Sequence, residues 1–324
     1  MSQDLVSIII PMYGVEAYLP QCLDSVCGQT WKNLEILLID DESPDRSGII
    51  ADQYADKDPR IEVMHIQNRG AAGARNAGLE SARGKYVMFV DSDDWLELTT
   101  VEKLLSEIKK HHCDIVQCQY SDEYTTRSVS HICDTKKMIM SGEEFLRRMI
   151  YDWEYILIWN KLFSRKALEG VRFEEGHCID DEFFTYRTVL NASSIAITED
   201  VLYHYRHRLS GAMRNTENQQ QRFNDQISFV TERFEPILAI YPGLRKELTV
   251  HLVEVLFHVI RDGAEYRGVF QRARKDLKQF GLPIFFGKYE WALKKNVLSY
   301  SMHSRKWFVK NTPANNLLQE GCFP

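Results

Sequence analysis

Short runs rich in Val, Ile and Leu alternate with amphipathic stretches through the first 120 residues of the chain. Leu5 to Ile10, Leu34 to Ile39, Ile61 to His65, Tyr86 to Val90 and Ile115 to Gln119 are predicted strands, each too short and too apolar for a surface helix. Between them Tyr18 to Val26, Ser47 to Ala55, Ala74 to Ala82 and Val101 to Lys110 carry helical spacing. Strand, helix and next strand form right-handed crossovers, so the rhythm predicts an α/β fold: a Rossmann-like, mostly parallel sheet flanked by helices. In such sheets ligands bind outside the carboxyl ends of the strands.

From Ser141 the pattern loosens. Ser141 and Glu144 have capping-box spacing ahead of a helix at Phe145 to Ile150, followed by strands at Lys161 to Ser164 and Val201 to Tyr205 and a helix at Asp181 to Leu190. Beyond about Gly211 the texture becomes helical throughout, with Phe229 to Ile240, Leu244 to Ile260 and Gln271 to Phe280 at helical spacing. The chain is therefore divided into a catalytic α/β domain over 1–212 and a C-terminal helical appendage over 213–324. Pro283 to Lys310 mixes Phe285, Phe286, Tyr289, Trp291, Trp307 and Phe308 with Lys288, Lys294, Lys295, Arg305, Lys306 and Lys310, against the single acid Glu290. That mixture suits anionic lipid headgroups, a homo-oligomer contact or ordinary packing.

A net charge of −6 argues against a general electrostatic grip on nucleic acid, whose binding domains carry basic faces. No apolar segment approaches the roughly 20 residues needed to span a bilayer, and the first residues lack the basic leader of a signal peptide. Seven cysteines, odd in number and without a Cys-x-x-Cys pair, fit reduced thiols better than a disulfide framework or a zinc site. Together these features predict a cytoplasmic protein, with the inner face of the cell membrane as a candidate location.

The chemistry concentrates at strand ends. Tyr86 to Val90 runs into Asp91-Ser92-Asp93-Asp94, and carboxylates crowded there repel each other unless a cation neutralises them. Oxygen-only ligation suits Mg²⁺ or Mn²⁺. Pro11 stops the first strand with Tyr13 behind it as an aromatic able to stack on a base, and Asp40-Asp41-Glu42 ends the second with hydrogen-bond acceptors. Asn68 to Gly78 is a glycine-spaced loop entering a helix, offering backbone N–H groups and Arg75 to phosphate oxygens. Trp159 offers an aromatic face to a sugar or to the core, and Arg206 and His207, with Arg208, stand where a lid over a diphosphate or a solvated turn would lie.

In this order and spacing these elements resemble glycosyltransferase family 2, the inverting nucleotide-sugar transferases of GT-A fold, strongly over residues 5–98 and more weakly to about residue 212. The resemblance implies that Pro11 and Tyr13 frame uracil, Asp41 accepts from its N3–H, and Arg75 approaches the diphosphate or ribose. It further implies that Asp91-Ser92-Asp93 is an Asp-x-Asp motif, with Asp93 the direct metal ligand and Asp91 oriented to the ribose or donor sugar as well as the metal. Asp181 falls where such enzymes carry the catalytic base, in a Glu-Asp-x-x-Phe sequence whose glutamate is here Asp180, on the sugar side of the site. The implied partners are a UDP-sugar donor and a glycan or lipid-linked saccharide acceptor in bacterial-type surface polysaccharide synthesis. Two rivals are a noncatalytic nucleotide or carbohydrate module and a Rossmann oxidoreductase, the latter lacking its Gly-x-Gly-x-x-Gly after the first strand.

Overall fold

The computed structural model describes residues 4–131, 138–208, 218–286, 289, 291–305 and 307. The chain folds as two compact units: Met1–Leu146, Ile156–Gly176 and Asp180–Gly211 form the first, and Arg147–Tyr155, His177–Ile179 and Ala212–Pro324 the second.

In the first unit, β1 (Val6–Met12), β2 (Leu34–Asp40), β3 (Ile61–His65) and β4 (Tyr86–Phe89) pair in parallel in the order β3-β2-β1-β4, with α1 (Leu19–Cys27), α2 (Ser47–Ala55) and α3 (Gly70–Ser81) between them. Val6, Ile8, Ile9, Ile10 and Ile36 to Ile39 are fully buried, as continuous apolar runs should be when helices cover both sheet faces. The order continues β9-β6-β10-β5, where β9 (Lys161–Ser164) is antiparallel to both β4 and β6 (Ile115–Tyr124), and β6 runs parallel to β10 (Ile195–Arg206). Helix α4 (Thr100–His111) precedes β6 and α6 (Asp180–Asn191) precedes β10. Three short antiparallel strands go beyond what the hydrophobic pattern predicts: β5 (Trp95–Leu96), β7 (Arg127–His131) and β8 (Met138–Met140). Helix α5 (Gly142–Met149) begins with the expected reciprocal cap, Ser141 N–H donating to Glu144 Oε2 at 2.9 Å and Glu144 N–H to Ser141 Oγ at 3.3 Å.

Helix α3 starts at Gly70, four residues before the predicted start at Ala74, and lies close on the sheet. A Cβ at Gly78 would come within 2.4 Å of Ile9 Cγ2, so only glycine permits this approach. The close seat brings the preceding turn, which carries Arg75, to the acidic end of β4.

The second unit is helical, with α7 (Gln219–Glu232), α8 (Phe234–Ile240), α9 (Arg245–Asp262), α10 (Arg267–Phe286) and α11 (Trp291–Met302). Leu252, Val253, Leu256, Val259 and Ile260 of α9 are buried, and Phe223, Ile227, Ala273 and Leu277 from α7 and α10 complete the core. This unit also keeps a buried acid. Asp225 accepts from Cys178 N–H at 2.6 Å and from Gln221 Nε2 at 2.7 Å, and lies 2.8 Å from His177 Nδ1. Lys288, Glu290, Lys306, Phe308 and Lys310 of the basic and aromatic segment, with Cys133 and Cys322, lie outside the described residues. Among the described residues, Cys22, Cys27, Cys113, Cys118 and Cys178 are thiols rather than disulfide halves, and no helix is long and apolar enough to cross a membrane.

Candidate active site

The parallel register sets Met12 beside Asp40 and Ile9 beside Phe89, so β1, β2 and β4 deliver their carboxyl ends to one edge. Tyr13 there is 54% exposed, directly after the partly exposed Pro11 and the buried Met12. Asp41 is buried, and both its oxygens are engaged: Arg69 N–H donates to Oδ1 and Gly70 N–H to Oδ2, each at 2.8 Å. Gly70 takes φ +75° at this bend, a conformation that suits glycine. Asp41 thus closes the N-terminus of α3 from a neighbouring strand, where a carboxylate meets free N–H groups and the positive end of the helix dipole. Each oxygen keeps a further lone pair for a ligand donor.

Arg75, one turn into α3, is the electrostatic centre of the site. It is almost fully buried, and its guanidinium reaches Asp180 Oδ2 at 2.7 Å, Asp91 Oδ1 at 2.9 Å and Asp181 Oδ1 at 3.8 Å. Its Nε is buried without a hydrogen-bond partner. The three surrounding carboxylates outweigh burial and raise the guanidinium's pKa further, so it is permanently charged. One cation therefore links the end of β4 to the first turn of α6.

The Asp181 pKa is raised too, which for a carboxyl favours the neutral form. Burial is the largest influence, and Asp180 and Asp91 push the same way; Arg75 and the Ile158 N–H oppose them, leaving the carboxyl at a pKa of about 7. An acid group poised there exchanges protons readily at neutral pH, as a general base must. Its place in the first turn of α6 adds an acid to a helix N-terminus together with Asp180 and Glu182.

Asp93 and Asp94 are fastened by the end of β10 and the residues just after it. Arg208 Nε lies 2.5 Å from Asp93 Oδ2, and Arg206 Nε donates to the Asp93 carbonyl at 2.7 Å. Burial, reinforced by Asp91, raises the Asp93 pKa against the pull of Arg208 and Arg206. Asp94 is interior: Tyr203 O–H donates to Oδ2 and Arg206 N–H to Oδ1, both at 2.7 Å, while Tyr203 Oη also accepts from Asp91 N–H at 3.2 Å. Arg206 stacks over Trp95, 4.5 Å from the ring centroid, and Arg208 lies over Tyr18 at 5.4 Å.

Arg206 therefore stands at the acidic strand end, whereas His207, paired with it in the expectation of a lid, turns elsewhere. Its Nε2 is 2.9 Å from Asp122 Oδ1 and its ring stacks on Tyr124 at 4.2 Å. Alternation along extended chain accounts for this, since neighbouring residues face opposite sides. Trp159 is buried, stacked on Tyr203 at 4.3 Å and Tyr205 at 5.5 Å with the Tyr120 edge at 5.0 Å, so its faces are occupied by aromatic neighbours. Beyond the adjacency of Asn76 to Arg75, Asn76 and Phe173 carry no sequence signal of their roles, whereas Tyr203 belongs to the Tyr203-His204-Tyr205-Arg206 run that shares the family resemblance.

Comparison with known proteins gives this edge a lineage. The family described as Glycosyl transferase family 2 matches residues 7–191, more than half of the chain, including the ends of β1, β2 and β4. The putative glycosyltransferase EpsH of Bacillus subtilis is 32% identical over 74% of this chain and 68% of its own length. Glycosyltransferase GlyG of Streptococcus pneumoniae is 30% identical over 84% of this chain and 95% of its own. Among solved structures, S. aureus TarS 1–349 in complex with UDP-GlcNAc aligns with a TM-score of 0.70 over 92% of this chain and 90% of that one, at 21% identity, a likeness of fold. An α/β sheet of GT-A type with acids at the ends of β2 and β4, in a sequence that the family spans from β1 to the last turn of α6, is a glycosyltransferase of family 2.

Proposed function

We propose that the chain transfers one sugar, with inversion, from a UDP-sugar to a hydroxyl of a glycan or lipid-linked saccharide in bacterial-type surface polysaccharide synthesis. The observation that carries this reading is the Arg75 bridge, which ties Asp91 at the nucleotide side to Asp180 and Asp181 at the sugar side. Tyr13, beside Pro11, is free to stack on uracil, and Asp41 remains an acceptor for its N3–H. Asp91 orients the ribose or donor sugar, Arg75 and Arg206 supply positive charge toward the diphosphate, and Asp180 holds Arg75 in place. In this reading His207, packed on Tyr124 of β6, and Trp159, packed on Tyr203 of β10, support the strands and do not touch the donor. Asp181 takes the acceptor hydroxyl's proton from the face opposite the leaving group, which is the geometry inversion requires. The complex of the fold neighbour TarS with UDP-GlcNAc supports a UDP-linked donor here.

The donor set also fits a hard divalent cation. Among the described residues no three His, Cys, Asp or Glu side chains converge as a metal cage. Mg²⁺ and Mn²⁺ at phosphate sites use only one or two carboxylates and take the remaining oxygens from phosphate and water. Asp93 meets that requirement with Asp91 beside it, and its partly buried carboxylate already pairs with the Arg208 guanidinium. Bound there, Mn²⁺ or Mg²⁺ would offset charge on the departing UDP.

The direct test is a panel of UDP-sugars assayed for UDP release with Mn²⁺. One or more should be turned over even without acceptor, by slow transfer to water; a panel with no turnover and no UDP binding would overturn the assignment of donor.

A further inference from the structure

Asn76 follows Arg75 on α3 and is 7% exposed. Its amide clasps the backbone of Phe173 and also bonds the Glu175 side chain: Nδ2 donates to the Phe173 carbonyl and Oδ1 accepts from the Phe173 N–H, both at 2.9 Å. This double exchange is what a paired strand would offer, supplied by a single side chain. The same stretch is tied twice more, Glu174 to Arg187 of α6 and Glu175 to Arg69 at the start of α3, where Arg69 Nε donates to Glu175 Oε2 at 3.2 Å.

What the Asn76 clamp holds is an aromatic platform. The Phe173 ring stacks on Phe184 of α6 with centroids 3.8 Å apart and meets Phe89 of β4 edge-on at 5.2 Å. The Arg75 guanidinium sits over the same ring, 5.5 Å from its centroid. Phe184 lies one helical turn beyond Asp181, so the ring that seats Arg75 also seats the turn carrying the candidate base. The hydrogen bonds to Asp180 and Asp91 orient the guanidinium, and the Phe173 ring adds a cation–π contact beneath it.

We infer that Asn76 is a positioning residue for sugar transfer: by clamping Phe173 it fixes the platform on which Arg75 and the first turn of α6 are placed together. This rests on the reading of Asp181 as the base. Asn76 itself touches neither nucleotide nor sugar in this scheme. Its loss should leave the Tyr13 and Asp41 end of the cleft intact while misplacing Asp181 relative to the sugar.

The test compares Asn76→Ala, Asn76→Asp and Phe173→Leu with the wild-type chain. The probes are UDP in calorimetry and whichever UDP-sugar the wild type hydrolyses. Asn76→Asp keeps the acceptor for Phe173 N–H but sets a carboxylate against the Phe173 carbonyl and Glu175, so it should be impaired at least as much as Asn76→Ala. Turnover number should drop on the order of 10-fold or more in Asn76→Ala and in Phe173→Leu, the scale of a small misplacement at a reacting centre. UDP binding stoichiometry should stay at the wild-type value, and any loss of UDP affinity or rise in donor KM, carried through Arg75, should be smaller than the loss of turnover. A purely structural role would instead reduce binding stoichiometry in step with turnover, or lower the melting temperature with turnover per bound site unchanged; either result overturns the inference. Phe173→Leu keeps the question answerable if the Asn76 variants do not fold. Wild-type activity in Asp181→Asn would defeat the base assignment instead, a failure separable from retention of turnover in the Asn76 and Phe173 variants.

Discussion

Asp181 owes its proposed role to a contest between burial and one arginine. Raised to about 7, this carboxyl titrates within reach of neutral pH. The sign is fixed: the reactive form is the carboxylate, so turnover should rise with pH and reach its plateau above the pKa. The rate profile should show an acid limb centred near pH 7, and Asp181→Asn should lower turnover on the order of 10² to 10⁴ while UDP binding survives. Arg75 pulls that pKa down, so Arg75→Gln should move the limb to higher pH; a limb unmoved would mean that another group titrates. Asp93→Asn should abolish the gain in UDP affinity that Mn²⁺ confers, and calorimetry with equal affinity with and without Mn²⁺ in the wild type would remove the metal from the scheme. At this scale the acids of the strand ends were legible because like charges at successive positions demand a partner. Which partner each acid takes was not: Asp41 binding two backbone N–H groups and Asp94 meeting Tyr203 depend on residues distant in sequence.

The elements that the sequence announced were those with a strong period. Strands β1, β2, β3 and β4 stand within two residues of their predicted bounds; β1, β2 and β4 are buried nearly throughout, while edge strand β3 keeps only part of that signature. Short antiparallel strands at the rim carry no such signature. β5 is two residues long, and β7 is mostly exposed, so pairing with β6 and β10 alone defines them. Helix α10 also outlasts its prediction, running on from Phe280 to Phe286. Helix α11 bears on the basic and aromatic segment. Trp291, Leu298 and Met302 are 74%, 50% and 72% exposed and share one face at helical spacing, with exposed Lys295 among them, while Val297 is buried off that face. An apolar stripe with a lysine in it suits an anionic membrane surface. Full-length protein should co-sediment with anionic vesicles more than with neutral ones, and Trp291→Glu with Leu298→Glu should remove the difference; equal sedimentation of the variant would dismiss α11 as the contact.

On the scale of the whole molecule, a boundary near residue 212 describes the order of the chain but not its folded grouping. The helical unit also claims Arg147–Tyr155 and His177–Ile179, two excursions from within the α/β portion. Asp225 explains the second: this buried carboxylate finds its partners in His177 and the Cys178 N–H, and Asp180 follows two residues later. Composition showed where the helical texture starts. It could not show that a three-residue segment far upstream belongs to it, because that grouping rests on tertiary hydrogen bonds. A chain stopped at Gly211 should accordingly lose UDP-sugar turnover and melt at lower temperature than the full chain, whereas full activity would show the helical unit to be dispensable. The same interleaving sets a rule for hybrid enzymes that combine the front half of one relative with the rear half of another. A single splice at residue 211 would pair a foreign counterpart of Asp225 with a native His177 and Cys178; grafts that transplant 147–155 and 177–179 along with the rear half keep those interlocking pieces matched.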